Sequence, residues 1–113
     1  MNTKIIINLQ FAATHHWSTI PQEHSQFYLK ELHRHVFHIR MKWYVDDDDR
    51  QIEFIELKNG IENWLKSSYK VPGEFTPCIG RMSCEMFCKL LMDKFDACYV
   101  RVLEDGENGA EIG

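Results

Sequence analysis

Between Leu32 and Trp43 the chain reads Leu-His-Arg-His-Val-Phe-His-Ile-Arg-Met-Lys-Trp. Apolar and polar residues alternate with a period of two. On a β-strand, residues two apart project to one face. The stretch therefore predicts a long strand over Leu32–Val45. His33 and His35 project side by side, on the face that continues as Phe37, Ile39, Met41 and Trp43. Two imidazoles at the head of a buried face need a reason, because unpaired buried polar groups are costly. A shared metal ion is one such reason. A further histidine lies upstream, in Phe11-Ala12-Ala13-Thr14-His15-His16-Trp17.

The other segments arrange themselves around this strand. Lys4–Ala13 is rich in isoleucine and reads as a first strand. His16–Glu31 is an irregular connection that contains Pro21, with helical turns expected towards its end. Asp46–Asp49 is a run of acids, read as a solvated turn because no calcium-loop pattern with glycine surrounds it. Gln51–Phe54 reads as a short strand continuation. Phe54, Leu57, Ile61, Trp64 and Leu65 recur at helical spacing, which predicts a helix over Ile55–Ser68. Gly60 inside it costs about 1 kcal/mol relative to alanine. Tyr69–Met82 holds Pro72, Gly73, Pro77 and Gly80 and reads as a loop. Ser83 is the expected N-cap of a second helix running to Phe95. Ala97–Glu104 reads as a last strand, and Asp105–Gly113 as an exposed tail. The order predicts a single α+β domain with a small antiparallel sheet and two helices on one face. Open edges of such a sheet are often covered by another subunit, so a homo-oligomer is expected.

Charge and apolar content exclude some functions. A net charge of -4 argues against a nucleic-acid backbone as the main partner. No apolar run reaches membrane-spanning length, and the N-terminal stretch is too short for a signal peptide. A cytoplasmic location is the expectation. Cys78, Cys84, Cys88 and Cys98 include no CxxC pair. Cys84 and Cys88 stand four apart and would share a helix face, a spacing that suits a metal pair, but reduced, partly buried thiols behaving as small hydrophobes are the simpler reading.

Zinc accepts neutral imidazole, and three protein ligands with one open position is the pattern of a catalytic site. His15 follows an apolar strand, which favours it as the third ligand beside His33 and His35. His16 and His38 are alternatives, although His38 falls on the opposite strand face. His24 sits in the connection and has no fixed direction. A pair of histidines that bind no metal is the competing reading.

Phe11-Ala12-Ala13-Thr14-His15 followed by Leu32-His33-Arg34-His35 resembles the zinc signature of the 6-pyruvoyltetrahydropterin and 6-carboxytetrahydropterin synthase family. That family carries a Phe-x-x-x-His motif and then a Leu-His-Gly-His motif. Ile52-Glu53-Phe54-Ile55-Glu56-Leu57-Lys58 is similar to the family's entry into its first helix. Ser83-Cys84-Glu85 is similar to the Thr-x-Glu that opens the second. Val100-Arg101-Val102-Leu103-Glu104 is similar to the last strand, whose glutamate anchors a pterin ring. The resemblance implies a T-fold, with Zn2+ held by His15, His33 and His35. It implies that Glu104 binds a small pterin-like ligand, in a hexamer built as a dimer of trimers whose sheets join into barrels. The implied activity is that of a carbon–oxygen lyase on a dihydroneopterin-triphosphate-like substrate.

Some family positions are changed. Leu29 stands where the family has its catalytic cysteine, and Lys30 where a variant group has glutamate. Tyr69–Met82 contains no aspartate or histidine to supply the family's Asp-His motif. Arg34 replaces the glycine inside the His-x-His motif. Glu23, His24 and Glu31 lie in the segment expected to border the site and are the candidates for a substitute acid–base group. Three readings follow: a lyase with relocated catalytic groups, a zinc- and pterin-binding protein with little turnover, or a metal-free interaction domain.

Overall fold

A computed structural model describes residues 2–113. Four strands, β1 (Thr3–His15), β2 (His33–Val45), β3 (Tyr99–Glu104) and β4 (Asn108–Ile112), form one antiparallel sheet in the order β1-β2-β3-β4. Two helices, α1 (Phe54–Ser68) and α2 (Cys84–Phe95), cover one face of it. The α1 helix lies against β1, and α2 lies against β3 and β4. The architecture is α+β, as the segment order implies.

Alternation sets the register of the two long strands. Ile7 faces Met41, Leu9 faces Ile39 and Phe11 faces Phe37 across the β1–β2 ladder. These residues are buried, and Val100 and Val102 of β3 join them under the helices. Sliding β2 by one residue would turn this whole apolar set to solvent, so burial of one face pins the pairing. Phe37 lies at the centre, with the Phe87 ring at 5.9 Å and the His15 ring at 5.2 Å, both edge-on. From α1, Ile61 and Leu65 seal the core; from α2, Phe87, Cys88 and Leu91 do so.

Several sequence expectations need correction. β1 runs on to His15, so that histidine is itself a strand residue. Gln51–Phe54 is not a strand: Glu53 caps α1, its side chain accepting the N–H groups of Ile55 and Glu56 at 3.1 and 3.2 Å. Phe54, expected on the buried stripe, is exposed at the first turn of α1. The capping role of Ser83 holds, its Oγ accepting the N–H of Met86 at 3.1 Å.

The expected tail is the largest departure. Asp105 and Gly106 both take positive φ, 55° and 75°, and the N–H of Glu107 donates to the carbonyl of Glu104 at 3.0 Å. An Asp-Gly pair suits such a turn because both central residues need the left-handed region. The chain then returns as β4 beside β3. Gly109 is required there, since a Cβ on it would sit 1.8 Å from the carbonyl oxygen of Val102.

Candidate metal centre

The β1–β2 register builds the site. His15 pairs directly with His33, and Ala13 pairs with His35. The ring centroids of His15 and His33 are 4.5 Å apart, and that of His35 lies 5.3 Å from His15 and 5.1 Å from His33. Glu104, at the end of β3, pairs with Phe37 and so stands one strand over from His35. One ligand atom from each of His15, His33, His35 and Glu104 lies within 4.8 Å of the others. This group can hold a metal ion.

The hydrogen bonds around the histidines test that fit. The Nδ1–H of His15 donates to the carbonyl of Met82 at 2.9 Å, and the Nδ1–H of His33 to the carbonyl of Glu31 at 2.8 Å. His35 Nδ1 lies 2.7 Å from the Asp105 carboxylate. A carbonyl can only accept, so the proton sits on Nδ1 of His15 and His33 and the lone pair on Nε2. Ligating histidines commonly have their second nitrogen held in this way. His15 Nε2 is buried and has no hydrogen-bond partner among the described residues, the Glu104 carboxylate being 3.4 Å away. A buried acceptor left unpaired is costly, and a cation would satisfy it. His35 Nε2 lies 2.7 Å from the same Glu104 oxygen.

Burial, the largest cause, holds the His15 imidazole below the ordinary histidine value, and the neighbouring rings of His33 and His35 act in the same direction. A neutral ring is the form that binds a metal. Asp105 is held below the ordinary carboxylate range by its hydrogen bonds with His35 and with the N–H of Val36.

A cavity of about 520 Å³ opens beside the histidines. Its walls include His15, His33 and Glu104, together with Leu29, Arg81 and Cys84. Burial and the nearby Glu104 carboxylate push the Cys84 thiol up to about 12, which leaves it protonated and a poor nucleophile at neutral pH. Leu29, at the cysteine position of the resembled family, faces this cavity and offers no titratable group.

The expected substitutes lie elsewhere. Glu23, His24 and Glu31 do not line the cavity. His24 is exposed, its Nδ1 accepting the N–H of Gln26 and its ring packed on Trp17 at 5.2 Å. Glu31 serves the site only through its backbone carbonyl. His16 does line the cavity, with its Nδ1 buried and unpartnered among the described residues. His38 projects from the opposite sheet face, beside Gly106. Cys88 takes no part, its thiol donating to the carbonyl of Ala110 at 3.3 Å. Sequence reasoning missed Asp105 and the Met82 carbonyl. The Asp-Gly turn signal marked the first; nothing in the sequence marks the second.

No family model and no curated protein matches the chain. It is similar in structure to the crystal structure of the uncharacterized protein WS1659 from Wolinella succinogenes. The TM-score is 0.60 and the identity 14%, over 99% of this chain and 98% of that one. At that identity the likeness is one of fold. No helix among the described residues is long and apolar enough to cross a membrane.

Proposed function

We propose that this chain is a zinc-dependent protein of the 6-pyruvoyl- and 6-carboxytetrahydropterin synthase type, taking a pterin-like heterocycle into the cavity beside His15, His33 and His35. The observation that carries the reading is the shared arrangement of the three imidazoles. Each has Nδ1 tied to an acceptor of its own, and the group presents its ligand atoms within 4.8 Å of one another. Imidazole nitrogens with a carboxylate nearby suit zinc among the divalent ions. When bound, zinc would polarise an oxygen of the ligand as a Lewis acid.

The rest falls to the chain's own residues. Glu104 accepts hydrogen bonds from the ring N–H and amino group of the heterocycle, for which a carboxylate has two suitably spaced oxygens. The Met82 and Glu31 carbonyls and the Asp105 carboxylate hold the imidazoles in orientation. The open edges at β1 and β4 support a ring of subunits whose sheets continue one another, a dimer of trimers by resemblance.

One observation favours a second reading, in which the protein binds zinc and a pterin but turns over little. Neither Leu29 nor the protonated Cys84 thiol can act as a base. The test has three measurements on the purified chain. Metal analysis should find about one zinc per chain, bound at roughly 2.0–2.1 Å by imidazole nitrogen. His33→Ala should lose it. Titration with a pterin should show saturable binding that Glu104→Gln weakens while zinc is retained. Assay with dihydroneopterin triphosphate then separates the lyase from the binding protein. A chain with neither zinc nor pterin affinity would overturn both.

A further inference from the structure

We propose that the sheet face turned away from the helices carries a second binding site, centred on Arg40 and Arg101, for a small phosphate-bearing anion. The site is independent of the histidine centre. Ile39, Met41, Val100 and Val102 point into the core, so Arg40 and Arg101 point to the other face. The β2–β3 register sets the two arginines directly opposite each other, in a row that reads Asn8, Arg40, Arg101, Glu111 across the four strands.

Like charges directly opposite on a sheet are destabilising. Glu111 is the one acid in the row, and among the described residues neither arginine forms an ion pair with it or with any other carboxylate. Arg40 gives its Nε–H to Asn8 Oδ1 at 2.8 Å, a neutral acceptor. Glu111, the carboxylate across from Arg101, instead accepts the hydroxyl of Tyr99 at 3.0 Å. The Nε of Arg101 is buried and has no hydrogen-bond partner among the described residues. An unpaired buried donor on a charged group is among the costlier features of a folded chain. An anion held against the two guanidinium groups would relieve the repulsion between them.

A groove of about 500 Å³ lies over this pair. His38 lines it from the same sheet face, Lys58 and Glu62 enter its wall from α1 alongside β1, and Glu62 is the one carboxylate there. Cations thus outnumber acids here, in a chain whose net charge is -4. Two opposed guanidinium forks match a tetrahedral oxyanion with several acceptor oxygens better than they match a single carboxylate. The size is that of a small-molecule site. The acidic chain as a whole disfavours a long polyanion.

Pyrophosphate is the probe, titrated calorimetrically into the full chain at low salt. Saturable binding of one ion per chain is expected. Arg40→Gln and Arg101→Gln should each weaken it by about tenfold or more, the loss of a charge-assisted contact. His33→Ala should leave it unchanged, which separates this site from the metal centre. Absence of saturable binding overturns the proposal, as does binding that both glutamine variants retain or that His33→Ala abolishes. Tighter binding of a single-stranded oligonucleotide than of pyrophosphate would replace the small-anion site with a nucleic-acid surface. Should the glutamine variants fail to fold, the natural chain decides by NMR. Pyrophosphate should shift the Arg101 Nε–H signal, and a spectrum in which that signal does not move overturns the proposal.

Discussion

His35 and Asp105 meet at 2.7 Å although they stand 70 positions apart in the chain. The other carboxylate oxygen of Asp105 accepts the N–H of Val36 at 3.0 Å. The aspartate is therefore fixed at two points on β2 while it forms the first central position of the β3–β4 turn. The hairpin that positions Glu104 also orients His35, so one turn places both side chains at the site.

Asp105→Asn tests this coupling. Asparagine keeps the size of the side chain and tolerates the left-handed backbone, but it gives up the charge that faces His35. Loss of such an outer partner typically lowers metal affinity by about 10–100-fold. Competition with a chelator should find a drop of that order, with a melting temperature close to that of the natural chain. Unchanged affinity would mean that the bond is incidental to metal binding.

Acid should destabilise the metal-free chain. The folded state holds His15 below its ordinary value of 6.5, mainly through burial. Below that value the unfolded chain binds more protons at this residue than the folded chain does, so stability rises with pH there. This contribution is complete above about pH 6.5 and is lost as pH falls towards the folded value. Asp105 has the same sign at lower pH, its contribution being complete above its ordinary 3.8 and lost on further acidification. Denaturant unfolding across this range should show the first decline in the natural chain and not in His15→Phe.

Turnover of dihydroneopterin triphosphate should be slow. A positioned base contributes about 10²–10⁴-fold, equivalent to roughly 3–5 kcal/mol of barrier. Leu29 lines the cavity without one. Leu29→Cys should raise the rate in the same assay. Fast turnover by the natural chain would place the base on another residue of the cavity wall, with His16 the first to substitute.

Two glycines should respond in opposite directions. Gly60 is exposed in the middle of α1, and a Cβ there would meet nothing within 4 Å. Gly60→Ala should stabilise the chain by about 0.5–1 kcal/mol. Gly109→Ala should lower the melting temperature sharply, because the new Cβ would collide with the Val102 carbonyl at 1.8 Å. A tolerant Gly109→Ala would show that β4 can leave the sheet without loss.

Period and local chemistry determine much of this protein without reference to any tertiary contact. The alternation in Leu32–Trp43 placed Phe37, Ile39, Met41 and Trp43 on the core face, because a two-residue repeat leaves a half-buried strand little choice. The helical spacing of Ile61 and Leu65, and the hydroxyl of Ser83, marked the body of α1 and the start of α2 for equally local reasons. His33 and His35 on one face follow from the same repeat. What brings His15 against them is the β1–β2 register, a relation between two distant segments. The fate of Asp105–Gly113 was decided in three dimensions as well. Its glycines read as an exposed tail, yet Gly109 is needed because β3 passes too close for a side chain, and Ala110 and Ile112 pack against the core. The carbonyl of Met82 belongs to a loop with no sequence mark of its role. Backbone acceptors have no residue type to announce them, and only the folded chain shows which imidazole each one holds.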